Sequence, residues 1–384
     1  MTKIEIKGKL VEATHDVQAS ILNLFKDALD KGIFDAVLMP MKVPSEDSFA
    51  WIMIKDKEIL KNAQPIAPIM PVNAANALKR FSRKGKGKHK IAALIRPCEI
   101  RATIELTKLN QINLENICLF SYDCVGALPM QDYIQDSKKG DKLFDKLLKE
   151  RSFKSDKLKP VCKMCDKFSL SASDLHFAFD GGKLLLVSNS EKGEKILNNL
   201  DLIEKVDLTN WQKNILEKTK TKEKNRKETF KIIKEMTNGF TNLAKTFSHC
   251  IGCHNCGSSC PICYCRQCYF DSSVSKPNSD IVMMRANERG AVSLPLDRIM
   301  FHTGRMAHMS LSCVSCGLCS DACPVNIPVA KIFSYIASET QKTFEYEAGA
   351  NVGDALPMKE YRLDELGELG KLVKSAEAQE GNDE

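Results

Sequence analysis

The feature that most constrains this chain is a cysteine pattern that occurs twice. Cys250, Cys253, Cys256 and Cys260, followed by Pro261, spell C-x2-C-x2-C-x3-C-P, and Cys313, Cys316, Cys319 and Cys323, followed by Pro324, spell it again. Such a run suits a 4Fe-4S cubane: the tight first three thiolates converge on one cluster, and the fourth, opening the next helix, reaches the other cluster of a pair. Crosswise ligation is therefore expected. One cluster would take Cys250, Cys253, Cys256 and Cys323, the second Cys313, Cys316, Cys319 and Cys260. Gly257 and Gly317 fall inside the ligand loops, where backbone can approach the sulfides. Zinc is the competing reading, but zinc sites use two cysteine pairs rather than eight thiols in a triplet-plus-one order.

The other cysteines need a different argument. The chain has 384 residues and sixteen cysteines, eleven from Cys250 to Cys323 and five from Cys98 to Cys165. No apolar run approaches the ~20 residues of a membrane span, and the opening MTKIEIKGKL lacks a signal-peptide apolar stretch. A cytoplasmic location is expected, where thiols stay reduced and a disulfide framework is excluded. Cys263, Cys265 and Cys268, in PICYCRQCYF, are expected to pack as small buried residues beside a cluster, with ligation of an unusual corner or exchange with Cys260 as alternatives. Met283, Met284, Met300, Met306 and Met309 lie between the motifs and either shield the clusters or pack in an ordinary core. His302 and His308 read as packing or hydrogen-bonding residues.

The first half alternates strand and helix. Strand-like runs are Phe34 to Val43, Phe49 to Ile54, Ile91 to Arg96 and Ile117 to Tyr122; helical runs are Val17 to Ile33, Asn73 to Phe81, Glu99 to Leu109 and Met130 to Lys149. That alternation is the pattern of an α/β domain. A hairpin follows, Leu175 to Phe179 and Lys183 to Ser188, turning through Asp180-Gly181-Gly182. From about Glu204 to Phe247 the chain is polar, helical and lysine-dense, which predicts one or two long solvated helices bridging two domains. Interleaved Glu217, Glu223, Glu228 and Glu235 and the lack of an aromatic-studded basic face argue against nucleic acid. From Glu345 onward there are eleven acidic and four basic residues, an acidic tail that either docks a partner or is merely solvated.

Among the N-terminal cysteines, Cys98 and Cys124 end two strands, where α/β sheets bind ligands, and Cys162 and Cys165 form a C-x2-C on a loop. The four could hold a third cubane; a zinc knuckle or structural thiols are the alternatives. Cys118, inside its strand, reads as core.

Three motifs here, ALIRPCEIRA (Ala93 to Ala102), LFSYDCVGALP (Leu119 to Pro129) and PVCKMCDKF (Pro160 to Phe168), resemble the beta subunits of coenzyme F-420 reducing hydrogenases and related formate dehydrogenases, which are iron-sulfur flavoproteins. PICYCRQCYF and FHTGRMAHMSLSCVSCGLCSDACP resemble the longer members, which carry a dicluster ferredoxin and accompany formate dehydrogenase or heterodisulfide reductase modules. The resemblance implies a third 4Fe-4S cluster on Cys98, Cys124, Cys162 and Cys165, and an FAD that no G-x-G-x-x-G signals here. If FAD is present, the basic run Arg83 to Lys90 is a candidate for its phosphates, a solvated basic turn being the alternative.

The expected fold is an α/β (α+β) flavin/iron-sulfur domain over 1–203, a lysine-rich helical linker over 204–248, an α-helical bacterial-type dicluster ferredoxin domain over 249–345 and an acidic tail over 346–384. The expected function is that of an electron-transfer subunit of an oxidoreductase complex, exchanging electron pairs at FAD and passing single electrons through clusters to a partner. That partner would be a formate dehydrogenase or hydrogenase catalytic subunit, or a heterodisulfide reductase-type subunit. A flavin-free iron-sulfur wire is the first rival, a zinc- and nucleic-acid-binding protein the second.

Overall fold

A computed structural model describes residues 7–360, apart from 14–15, 152, 154, 203–205, 273–274, 276–277, 293–296 and 358. The first half closes into one sheet of β1 (Lys7–Ala13), β2 (Ala36–Lys42), β3 (Phe49–Ile54), β4 (Ile91–Leu94), β5 (Ile117–Tyr122), β6 (Leu175–Asp180) and β7 (Lys183–Ser188), in the order β1-β7-β6-β5-β4-β2-β3. The central strands β6, β5, β4 and β2 run parallel, while β3, β7 and β1 join antiparallel. Parallel strands covered on both faces are apolar throughout, and β5, ICLFSY, is buried at every position. Its period-two alternation sends Cys118 and Phe120 to one face, with the helices Val17–Asp30 and Ser137–Lys149, and Ile117 and Leu119 to the other, with the helices Ala74–Ser82 and Pro97–Lys108.

The hairpin turns on Gly181, at φ +55°, between paired Asp180 and Lys183. Two elements differ from the expectation. Lys7–Ala13, not among the strand-like runs, forms β1 against β7, with Leu10 opposite Leu185. The helix read over Met130 to Lys149 is two, Met130–Gln135 and Ser137–Lys149, because Asp136 adopts φ −153° and its carboxylate accepts from Lys139 N at 3.0 Å as an N-cap.

The lysine-dense stretch is one helix of 29 residues, Thr209–Thr237, followed by Gly239–Thr246. The long helix buries only Trp211, Lys222 and Ile233. Trp211 packs on the sheet with Ala178, Leu185 and Val187, whereas Ile233 joins the core that holds Phe247 and the ferredoxin-motif cysteines. Beyond it the described residues are helical, chiefly Asp297–Met309 and Val329–Thr343. The start of the acidic segment is docked rather than solvated: Ala348 is fully buried, Tyr346 OH and Gly349 N donate to Glu105 Oε1 at 2.6 and 2.7 Å, and Arg101 Nε donates to Ala348 O at 2.9 Å. Residues 361–384, with most of the acidic charge, lie outside the described residues. No described helix is long and apolar enough to cross a membrane.

Candidate metal centres

Because β4 and β5 are parallel neighbours, the turns leaving them emerge at one edge of the sheet. They bring Cys98, the second residue of the Pro97–Lys108 helix, beside Cys124. Glu99 fixes the first turn, its carboxylate accepting from Arg96 N at 3.0 Å and Ala74 N at 2.8 Å. The second turn is tied to the C-x2-C segment by Cys124 N donating to Phe168 O and Lys159 N donating to Ala127 O, both at 2.8 Å. Cys98, Cys124, Cys162 and Cys165 thus line a single cavity, together with Arg96, Lys159, Lys222 and Phe168.

Its electrostatics are those of crowded thiols among cations. Burial pushes the Cys98 thiol up, and the neighbouring charges of Glu99, Cys316, Cys124 and Cys165 push it further. Burial takes Cys165 up to about 11, Lys222 opposing and Cys162 adding to the rise. Arg96 Nη1 points at Cys124 Sγ from 3.7 Å, held by Gly126 O at 3.0 Å and Ile69 O at 3.2 Å. Lys222 Nζ donates to Cys162 O at 2.8 Å. Four thiols flanked by buried cations suit a thiolate-bound anionic cluster. Among the described residues no three His, Cys, Asp or Glu side chains stand close enough to hold a single ion. A cubane, each of whose thiolates bonds a different iron, asks for a wider set of donors than one tetrahedral ion does.

The two ferredoxin motifs are interleaved. The Cys256 thiol, raised to about 11 by burial, lies under the Arg305 guanidinium and beside Cys250, Cys253 and Cys323. Cys260, for its part, neighbours Cys263 and Cys316, and Cys319 neighbours Cys316 and Cys313. Across the first group runs the Asp297–Met309 helix. Arg305, only 4% exposed, donates from Nη1 to Cys256 Sγ at 3.1 Å and from Nη2 to Cys256 O at 3.0 Å. His302 Nε2 stands 3.4 Å from Cys250 Sγ, its ring stacked 4.0 Å from Phe247. Burial, with Arg305 nearby, lowers its pKa to about 4, so the ring is neutral. Ile327 N and Gly252 N donate to Cys323 Sγ and Cys250 Sγ, each at 3.4 Å. Hydrogen bonds of this kind to cluster sulfurs set reduction potentials.

A seam joins the N-terminal cavity to the second motif. Cys316 lines the same cavity as the four N-terminal cysteines. Gly317, at φ +88°, presses on Val161, whose Cγ2 would stand 2.5 Å from any Cβ added there. Lys159 forms a buried ion pair with Asp321, between Cys319 and Cys323. The first motif is turned outward instead: Cys253 is exposed and Ile251 is 59% exposed.

Several expectations change. Cys265 is exposed, so it is not a core residue, while Cys263 and Cys268 are half-buried and pack against the core that holds the ferredoxin-motif cysteines. Cys263 sits against Cys260 and Met309. Of the methionines, Met306 and Met309 are buried near the cysteines, but Met283, Met284 and Met300 are exposed, the first two on a helix that buries none of its residues. His302 hydrogen-bonds as read, while His308 is exposed. Cys118 is core. The run Arg83 to Lys90 is an exposed turn at the amino end of β4, the edge opposite the cysteines, with Lys86 paired to Glu115. Unforeseen were the buried cations Arg96, Lys159, Lys222 and Arg305; only Arg96, adjoining Pro97-Cys98, carried a local hint.

Residues 217–327 match the 4Fe-4S dicluster domain family. Over 378 residues, 88% of this chain and 93% of the relative, the chain is 24% identical to the F420-dependent formate dehydrogenase subunit beta of Methanocaldococcus jannaschii. It is 28% identical over 381 residues, 86% of this chain and 90% of the relative, to the F420-dependent formate dehydrogenase 1 subunit beta of Methanococcus maripaludis. A chain of the xenon-derivatised F420-reducing [NiFe] hydrogenase complex from Methanosarcina barkeri aligns over 60% of this chain and 93% of its own, with 12% identity and a TM-score of 0.40. Two relatives of one kind, with a dicluster domain where the doubled cysteine motif lies, make the chain similar over most of its length to the beta subunits of F420-dependent formate dehydrogenases and mark it as an iron-sulfur oxidoreductase subunit.

Proposed function

We propose that the chain relays electrons between a two-electron carrier at FAD and the catalytic subunit of a formate dehydrogenase or hydrogenase, through three 4Fe-4S clusters. The observation that carries this reading is the cavity shared by Cys98, Cys124, Cys162 and Cys165 with Cys316, a ligand candidate of the second motif. Cys250, Cys253, Cys256 and Cys323 hold one ferredoxin cluster, and Cys313, Cys316, Cys319 and Cys260 the other. A flavin exchanges electrons in pairs or singly, and a cubane singly. The chain's own residues do the rest. Arg96 and Lys222 offset thiolate charge, Phe168 and Met70 exclude water, and Lys159 with Asp321 keeps the N-terminal cysteines against the second motif. The cysteine order then runs from the N-terminal site through the Cys316 group to the outward-facing Cys253 group. FAD and the choice of partner rest on the family resemblance and on the names of the relatives.

The test is anaerobic purification of the intact complex, with metal, flavin and subunit analysis. Iron with flavin and a co-purifying catalytic subunit supports the reading. Zinc in the ferredoxin motifs, or full turnover of formate or hydrogen by the isolated chain, overturns it.

A further inference from the structure

The doubled motif departs from its own repeat at one place. The first copy continues Cys260-Pro261-Ile262-Cys263 and the second Cys323-Pro324-Val325-Asn326, so only the first carries another thiol three residues after its last ligand. Pro261 and Ile262 form a turn, which brings the flanking Cys260 and Cys263 within about 7 Å of each other at Cα. This is the C-x2-C spacing by which the motifs themselves gather ligands. The Cys263 thiol is aimed inward: it donates to Met309 Sδ at 3.9 Å, Met309 being buried, and stands against Cys260. Cys260 neighbours Cys316, and the charge of Cys263 reaches Cys313, so both thiols border the second ferredoxin group. Arg305 adds an independent observation. Of the thiols around its guanidinium, Cys263 acts on it most strongly, ahead of Cys256 and Cys260. Its Nη1 and Nη2 serve Cys256 and Met309, and the buried Nε makes no hydrogen bond among the described residues. A buried cation there offsets the charge of an iron-bound thiolate.

We infer that Cys263 is an exchange ligand of the second ferredoxin cluster, its thiolate taking the iron held by Cys260 when Cys260 lets go. In the exchange the iron–sulfur bond to Cys260 breaks, the bond to Cys263 forms, and the proton of the Cys263 thiol passes to the Cys260 sulfur. No electron moves and no co-reactant is needed. The inference deepens the electron-transfer reading and rests on its second cluster. That cluster is the middle of the cysteine order, so a reserve ligand there keeps the path continuous. The first cluster is not served in this way, because Asn326, at the matching position after Cys323, supplies no thiol.

The full chain and its variants are reconstituted anaerobically with iron and sulfide, then read by iron content and paramagnetic resonance. Cys260→Ala and Cys263→Ala each keep the iron and the cubane signals of the wild type, whereas the double replacement loses about four irons. Cys323→Ala, with no thiol at position 326, loses about four by itself. In the wild-type holoprotein, anaerobic alkylation and peptide mapping find label on Cys260 in some chains and on Cys263 in others, with the exposed Cys265 labelled as a control. Three results overturn the exchange and leave the electron-transfer reading intact: loss of that cubane in Cys260→Ala with the other signals kept, its retention in the double replacement, or wild-type label confined to one of the two thiols. The labelling needs no variant, so it decides the matter if Cys260→Ala fails to fold. A wild-type chain without iron, or with zinc in the motifs, overturns the reading on which the exchange rests.

Discussion

Lys159 and Asp321 pair across the seam between the N-terminal cysteine turn and the second ferredoxin motif, with side chains only 2% and 8% exposed. Removing one partner strands the other charge out of water, at a cost of about 3–5 kcal/mol. Lys159→Met and Asp321→Asn should each lower stability to urea by roughly that amount. The double replacement should recover much of the loss. Strict additivity would mean that the two side chains do not interact.

Arg305→Leu should lower the potential of the cluster bound by Cys256. The guanidinium lies 3.1 Å from Cys256 Sγ and favours the more negative, reduced state. A hydrogen bond to a charged group is worth about 1.5–3 kcal/mol, roughly 65–130 mV for one electron. Arg305→Lys should fall between. A redox titration monitored by paramagnetic resonance reads the shift, and an unchanged potential would remove Arg305 from the tuning of that cluster.

The two motif glycines should respond differently to alanine. At Gly317 a Cβ meets Val161 at 2.5 Å on backbone of φ +88°; at Gly257 the nearest atom, of Phe301, is 3.5 Å away. Gly317→Ala should cost about 1–3 kcal/mol and Gly257→Ala under about 1. Thermal unfolding of the anaerobic holoprotein compares them. Equal losses would contradict the seam contact.

Iron analysis tests ligation. The reconstituted chain should bind about twelve irons, and Cys98→Ser about eight. Cys323→Ser should perturb the signal of the Cys250, Cys253 and Cys256 cluster, whose neighbourhood Cys323 enters from the other motif. Damage confined to the cluster of Cys313, Cys316 and Cys319 would reject crosswise ligation.

Asp123 makes the fold acid-sensitive. Burial alone would raise its carboxyl, but hydrogen bonds from His176, Phe179 N and Ser169 bring it below the ordinary 3.8. The unfolded chain therefore takes up that proton first. The stabilisation is complete above about pH 4 and is lost as pH falls through the lower native value. Trp211, whose Nε1 donates to Asp123 Oδ2 at 2.8 Å, reports it by fluorescence. Asp123→Asn should be less stable at pH 7 and should lose less on acidification; an unchanged acid limb would dismiss the linkage.

Much of this was legible because its cause is local. The cysteine triplets, the short apolar runs of β2 to β7 and the Gly181-Gly182 turn each reflect neighbours in sequence. The four N-terminal cysteines could be proposed for one site because parallel strands deliver their carboxyl ends to one edge. What escaped was non-local. Nothing near Lys159 announces Asp321, and nothing in FHTGRMAHM says that Arg305 turns inward to Cys256. Acidic composition after Glu345 suggested a tail that docks a partner or is merely solvated, yet Tyr346 and Ala348 are held within the chain by Glu105 and Arg101, some 240 residues earlier. Cys265 and Met283 misled for the opposite reason, since an apolar side chain at a loop or on an unpartnered helix stays in water.

The Thr209–Thr237 helix is seated at two distant points, Trp211 on the sheet and Ile233 in the cysteine-bearing core. At ~1.5 Å per residue these seats are roughly 33 Å apart along one rod. A rod of this kind is a pitch-locked spacer. One inserted residue swings the far seat by about 100°, whereas seven return it nearly to the same face but about 10 Å farther on. The separation between the sheet and the ferredoxin motifs can therefore change only in discrete steps. A single insertion between Lys222 and Ile233 would disengage the two halves outright rather than stretch the path between them.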